Sequence, residues 1–383
     1  MLVVSVGGIM NKIVYILKTK LHYYPPCVSQ IRMIKQLGYD VDVVYGTCHE
    51  KTLKLLEDEG IKCYKISNLK DENPKKIEKI ISWLKFRYSL SKFIKDYDRN
   101  NTLFWFGTAE SVIPMLGKLR NYNYNVTLLE LLDNDKIKRL LLKSIMSNAK
   151  KVACCEETRA WIMKYWFSLK ELPYVFPNKS YQQITARRVI PSTDMTSKII
   201  DDIKDSNILL SQGVLQTPDE LIEFAKALNH TKKRYKFVLM GIDKYHCVDT
   251  LREYYDDIYY VEYVPAPLHL EITSYARIGI NFYRPDCLNK AFCAPNKIYE
   301  FSGFGIPIIG NKIPGLVNTI GVNNAGICVD LIEKNIVKAI NEIDDNYEKY
   351  SKNAKKFFDG TDNLESMKKL LEEEGIKKYD NFV

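Results

Sequence analysis

The stretch NKAFCAPNKIYEFSGFGIPIIGNKIPGL, residues 289–316, gathers the residue types that could hold a charged ligand. Pro295-Asn296 supplies a helix start, Asn being a good N-cap, and the helix is expected over Lys297–Phe304 with Gly305 closing it. Ile306–Ile309 then reads as a short, fully buried strand ended by Gly310. Lys297 and Glu300 stand at i,i+3 and so project from the same side of the first turn. An ammonium and a carboxylate there could hold a phosphate and a ribose diol respectively. The free N–H groups and positive dipole end of a helix start would assist the phosphate. The same spacing also fits a plain ion pair on the helix surface.

Other chemistries find less support. The five histidines (His22, His49, His230, His246, His269) never pair at metal-ligand spacing, and no metal site is expected. The nine cysteines are odd in number, lack a C-x2-C pair and include the adjacent Cys154-Cys155. That set reads as reduced thiols in a cytosolic protein.

The elements that must position these residues follow a strand–helix rhythm. Lys12–Leu17 is a β-branched strand; after Pro25-Pro26 comes an amphipathic helix, Ser29–Leu37, closed by Gly38. Asp40–Tyr45 alternates as a strand, Glu50–Glu59 as a helix stopped by Gly60, and Ile61–Ile66 is a third strand. Thr102–Phe106, Val126–Leu131 and Lys151–Cys155 continue the series, which indicates parallel βαβ units in a doubly wound sheet. The polar stretch 180–205 reads as a connection. A second series then begins with Asn207–Ser211 and Gln212-Gly213, a helix from Pro218 to Leu228, and strands at Tyr235–Met240, Ile258–Glu262 and Ala276–Phe282. From about Asp330 to Glu374 the chain is helical and amphipathic.

A length of 383 residues suits two such α/β domains. Residues 1–180 hold 30 Lys and Arg against 18 Asp and Glu, whereas the remainder holds 26 against 29. The excess fits an anionic partner for the first half, whether a phosphorylated substrate, a membrane surface or nucleic acid, and equally a plain compositional bias towards lysine. No nucleic-acid-binding motif accompanies the charge, and none is expected as a partner. Residues 75–95 (KKIEKIISWLKFRYSLSKFIK) interleave basic and aromatic residues, as interfacial helices do. Their apolar residues nevertheless form two groups, Ile77/Ile80/Ile81/Leu84/Tyr88 and Trp83/Phe86/Leu90/Phe93/Ile94, so a crossover helix feeding the Thr102–Phe106 strand is preferred to a membrane helix. No apolar run reaches the roughly 18 residues of a membrane span, and the first ten residues lack a signal-peptide pattern. Met10 is a candidate start, with residues 1–9 as an upstream extension. A cytoplasmic location is expected, peripheral at the inner face of the membrane.

APNKIYEFSGFGIPIIG resembles the donor-site segment of GT-B glycosyltransferases, closest to the retaining family-4 group of bacterial surface-polysaccharide transferases. VPAPLHLEITSYARIGINFY and GLVNTIGVNNAGICVD resemble the segments on either side of it, and KKVACCEETRAWIMKYWFSLKELPYVFPNK resembles the end of the family's first domain. The resemblance implies an α/β GT-B fold, with two Rossmann-like domains facing a central cleft. Residues 1–180 would bind the acceptor, 181–205 connect, and 206–360 bind the nucleotide sugar, with 361–383 a helical tail packing back on the first domain. It implies metal-independent transfer from a nucleotide-sugar co-substrate, with no other cofactor, to a glycan or lipid-linked glycan. Glu300 would grip the nucleotide ribose. Asn296, Lys297, Ser302 and Gly213 would complete the donor site. The family's first acidic residue is replaced by Phe292, and its usual cations are missing from the Gln212–Gln216 turn, which passes the diphosphate charge to Lys297 and to Arg284 or Lys290.

On the acceptor side VTLLELLDND resembles a strand end where the family often has His-Glu; Leu129 takes the His position, leaving Glu130 and Asp133 as acceptor-hydroxyl contacts. Glu110, Glu156 and His22 also follow strands, at the carboxyl-end loops where open α/β sheets bind ligands. Two other readings remain, a GT-B-fold sugar-nucleotide epimerase and a catalytically inactive GT-B subunit.

Overall fold

A computed structural model describes residues 10–66, 76–215, 218–293 and 295–376; the suggested extension 1–9 and Gln216 lie outside them. The chain forms two compact units, Met1–Tyr181 with Asp362–Val383, and Gln182–Thr361.

The first unit is built on seven parallel strands: β1 (Lys12–Lys20), β2 (Asp40–Thr47), β3 (Lys62–Lys65), β4 (Thr102–Phe106), β5 (Asn123–Thr127), β6 (Val152–Cys154) and β7 (Tyr174–Val175). Their order is β3-β2-β1-β4-β5-β6-β7. The second unit has six parallel strands: β8 (Ile208–Gln212), β9 (Lys236–Met240), β10 (Ile258–Val261), β11 (Ile278–Asn281), β12 (Ile308–Asn311) and β13 (Gly326–Val329). Their order is β10-β9-β8-β11-β12-β13. Sheets covered by helices on both faces need strands apolar on both sides. TLFWF in β4 and ILLSQ in β8 are accordingly buried along their whole length. Both units are Rossmann-like.

Several boundaries differ from the sequence expectation. The first helix begins at Pro25, ahead of the expected Ser29, because proline suits the first helical turn. Within 180–205 a helix, Asp194–Ile203, is started by a reciprocal capping pair between Thr193 and Thr196 and buries Ile200 and Ile203 in the second unit. Beyond it the helical tail divides into Glu333–Asp345, Tyr347–Asp359 and Asn363–Glu373. The last of these packs in the first unit, where Asn363 donates to the Pro177 carbonyl at 2.7 Å and Lys151 pairs with Glu373 at 3.1 Å.

The helix Lys76–Phe93 does cross between β3 and β4, and its two apolar groups part company. Phe86 and Leu90 are in the core, and Trp83 and Phe93 pack against it. Ile77, Ile80, Ile81, Leu84 and Tyr88 are exposed. All nine cysteines carry free thiols.

Glu374, at the end of the last helix, is pushed up to about 7 by burial, against the pull of Asn125, Lys150 and Lys151. A carboxyl raised in the folded state adds stability below its ordinary range near 4.5 and loses it as pH rises through about 7. Glu374→Gln should therefore be more stable than the parent at pH 8. The gap should close toward pH 4.5, as read by chemical denaturation across that range.

Candidate functional site

In both sheets the strand order reverses beside the first strand, with β4 against β1 and β11 against β8. Open α/β sheets bind ligands at the carboxyl ends of strands flanking such a reversal. In the second unit this point is bordered by Gln212 at the end of β8, by Gly213 after it and by residues 282–284 after β11. The helix Asn296–Gly303, lying between β11 and β12, starts at the same edge.

Glu300 is 5% exposed. Its Oε2 accepts from Gln212 Nε2 at 2.5 Å and its Oε1 from Asn296 Nδ2 at 2.5 Å, while His269 Nε2 lies 3.5 Å from Oε1. Burial alone would raise its pKa, but His269, Lys297 and Asn296 outweigh burial and hold the carboxyl below its ordinary value. The group is an ionised carboxylate kept in a dry site by its neighbours. Gln212 is itself oriented by Thr273, whose hydroxyl donates to its Oε1 at 2.8 Å.

Lys297 and Glu300 do not form a surface ion pair. Among the described residues Lys297 has no ion pair, and its ammonium sits 6.0 Å from the Tyr283 ring centroid. Its side chain lies over Gly213: a Cβ there would stand 2.7 Å from Lys297 Cε and 2.9 Å from Nζ. Gly213 has φ +113°, a conformation that L side chains rarely adopt. Its backbone is in turn crossed by Gly241, φ +147°, where a Cβ would meet the Gly213 carbonyl oxygen at 1.9 Å.

Asn296 is the first helical residue rather than the cap, and Pro295 precedes it with no side-chain cap. The buried carboxylate one turn on claims the Asn296 amide, which leaves the opening N–H groups of the helix without a side-chain acceptor. Ser302 is fully buried and donates back to the Ile298 carbonyl at 2.5 Å. Arg284 follows β11 but is held by Asp219 at 2.5 Å and by Glu220, at the start of the helix Asp219–Leu228. Lys290 pairs with Asp286 at 2.7 Å. The structure thus gathers Gly213, Asn296, Lys297 and Glu300, and engages Arg284 and Ser302 elsewhere.

The acceptor-side candidates occupy the first unit. Glu110, after β4, is gripped by Lys138 at 3.0 Å, Lys79 at 3.2 Å and Trp83 Nε1 at 3.0 Å. Burial raises its carboxyl, and the two ammonium groups bring it below the ordinary value. Glu130 is exposed in the loop after β5, with Asp133 three residues on. The Tyr24 phenol is raised first by burial and then by Glu130 and Glu110, which places both loops within electrostatic reach of it. Glu156 caps the helix Glu157–Phe167, accepting from the Arg159 N–H at 2.8 Å. His22 lies in the turn after β1, where its Nδ1 accepts from the His49 N–H at 3.2 Å. Burial, then His49 and Lys20, lower its pKa.

No protein-family model matches the chain, and no curated protein matches it in sequence. Solved structures do match it. A glycosyltransferase from Rickettsia africae ESF-5 is 15% identical, with 95% of this chain and 98% of that one covered at a TM-score of 0.64. A sucrose-phosphate synthase from Thermosynechococcus elongatus is 14% identical, with 94% and 98% covered at 0.66. HepE of Anabaena in complex with UDP-glucose is likewise 14% identical, with 94% and 98% covered at 0.66. The chain has the GT-B fold. Within this GT-B chain, sequence reasoning missed three residues that hold Glu300 in place: His269, Thr273 and Gln212. His269 stands in VPAPLHLEIT, but nothing in its local spacing pairs it with a carboxylate on a different helix. Lys18 was also missed; it is 5% exposed at the end of β1, and burial lowers its pKa despite the opposing pull of Glu110.

The glycine pair gives a stability test. Gly213→Ala meets the movable end of a lysine and should cost about 1–3 kcal/mol through its backbone conformation. Gly241→Ala meets backbone and should lower the melting temperature further. Equal melting temperatures would contradict this packing.

Proposed function

We propose that the chain is a retaining, family-4-like hexosyltransferase. It moves a sugar from a nucleotide-sugar donor, with a UDP-sugar favoured, to a glycan or lipid-linked glycan in polysaccharide assembly. The observation that carries this reading is the Lys297 ammonium, free of any carboxylate partner among the described residues, packed on Gly213 beside the buried, ionised Glu300. The likeness to a UDP-glucose complex supports the same nucleotide class.

In this reading Glu300 accepts hydrogen bonds from the ribose hydroxyls. A carboxylate has about four lone-pair positions, so oxygens already bound by Asn296 and Gln212 keep capacity for a diol. Gly213 lets the chain approach the diphosphate closely, and Lys297 with the open N–H groups of its helix neutralises it. Leaving-group charge grows in the transition state, so these preorganised groups supply most of the catalysis. The departing phosphate oxygen takes the acceptor proton, while Glu130 and Asp133 orient the acceptor hydroxyl. Neutralisation by an ammonium and backbone amides makes transfer metal-independent, and a chelator should leave turnover unchanged. The second reading, a catalytically inactive chain that binds the donor, is favoured by Phe292 and by the missing cations of the Gln212–Gln216 turn; binding of UDP-glucose with neither hydrolysis nor transfer would establish it.

UDP-glucose should raise the melting temperature, since a ligand bound only by the folded state stabilises it. Glu300→Ala should weaken that binding about 10- to 100-fold, the worth of charged hydrogen bonds of about 1.5–3 kcal/mol. Lys297→Ala should lower kcat by about two orders of magnitude. Unchanged affinity in the first variant would refute the donor site; unchanged turnover in the second would move the phosphates elsewhere.

A further inference from the structure

The helix Lys76–Phe93 shows solvent an apolar strip that the crossover does not use. Ile77, Ile80, Ile81, Leu84 and Tyr88 fall within an arc of about 100° at 3.6 residues per turn, and each is between 45% and 75% exposed. The opposite side of the same helix faces the core through Phe86 and Leu90. A second helix, Lys136–Met146, leaves Ile137 and Leu140 exposed at 74% and 73%. Glu110 ties the two together, because a single carboxylate oxygen binds Lys79 of the first helix and Lys138 of the second. Those ion pairs make the two helices neighbours, while on the first helix Lys85 and Lys92 fall beside the apolar strip at 3.6 residues per turn.

Burying such a surface is favourable, and its charge says against what. The two helices carry nine Lys and Arg and a single acidic residue, Glu78. A second copy of the same face would bring like charges together, whereas an anionic lipid surface matches both the apolar strip and its basic border. Lysine stems can lie along the apolar surface and keep their ammonium groups at the headgroups. Isoleucine and leucine insert into an acyl boundary but offer no stacking face to nucleic-acid bases.

We propose that this face of the first unit docks on an anionic lipid bilayer, Ile77–Tyr88 and Ile137–Leu140 entering the interface and the lysines holding its phosphates. The docking stands apart from the donor-site reading.

Co-sedimentation of the full chain with phosphatidylcholine vesicles, with and without phosphatidylglycerol, tests this. Binding is expected only with the anionic lipid. Ile80→Ser/Leu84→Ser/Ile137→Ser and, separately, Lys85→Glu/Lys143→Glu should each reduce it about tenfold or more, with the parent melting temperature and UDP-glucose response kept. Equal binding to both vesicles, no binding, or binding unchanged in both variants would overturn the proposal. So would a parent dimer that the apolar variant dissolves. Loss of the UDP-glucose response in the parent would instead count against the donor site and leave vesicle binding to be judged by itself.

Discussion

A carboxylate that must stay ionised away from water dictates the arrangement of the second unit's candidate site. Burying an unpaired charge is prohibitive, so Glu300 requires donors from several directions. They come from three places: Gln212 at the end of β8, His269 on the helix before β11, and Asn296 one turn earlier on its own helix. Each donor fixes an element relative to the others. Thr273 then fixes Gln212 from behind. A single ionised group thereby joins the two strands of the sheet reversal to the helix that opens on it.

Of the three cations considered for the diphosphate, Lys297 alone forms no ion pair among the described residues. Arg284 and Lys290 are neutralised by adjacent acids, and Lys297 is held by packing on a glycine instead of by a carboxylate. The distinction matters because a cation already paired must give up its partner before it can take a ligand. In the first unit the balance is reversed: Glu110 is shared by two lysines and an indole, and serves to fasten helices.

The sequence made the architecture legible because parallel strands covered on both faces are written as unbroken apolar runs, bounded by glycines, at regular spacing. TLFWF and NILLS could hardly be anything else. Lys297 and Glu300 were legible because their relation is local, a single helical turn. Asn296 was misread as a cap: its residue type suits the cap, and only the tertiary structure shows that a buried carboxylate claims its amide. His269 and Lys18 were not legible, since their partners are distant in sequence. The Lys76–Phe93 helix shows a further limit. Periodicity revealed two apolar faces, but which of them meets the core depends on the sheet beneath.

The last described helix bears on how the molecule comes into being. Met367, Leu370 and Leu371 are fully buried in the core of the first unit, with Ile31 and Ile34 of its first helix. A ribosome therefore finishes the second unit, residues 182–361, while the first still lacks a piece of its interior. The lobe begun earliest is completed last. Its apolar face beside the first helix stays open through synthesis of the whole second lobe, an interval in which a chaperone or a stray chain has access to it.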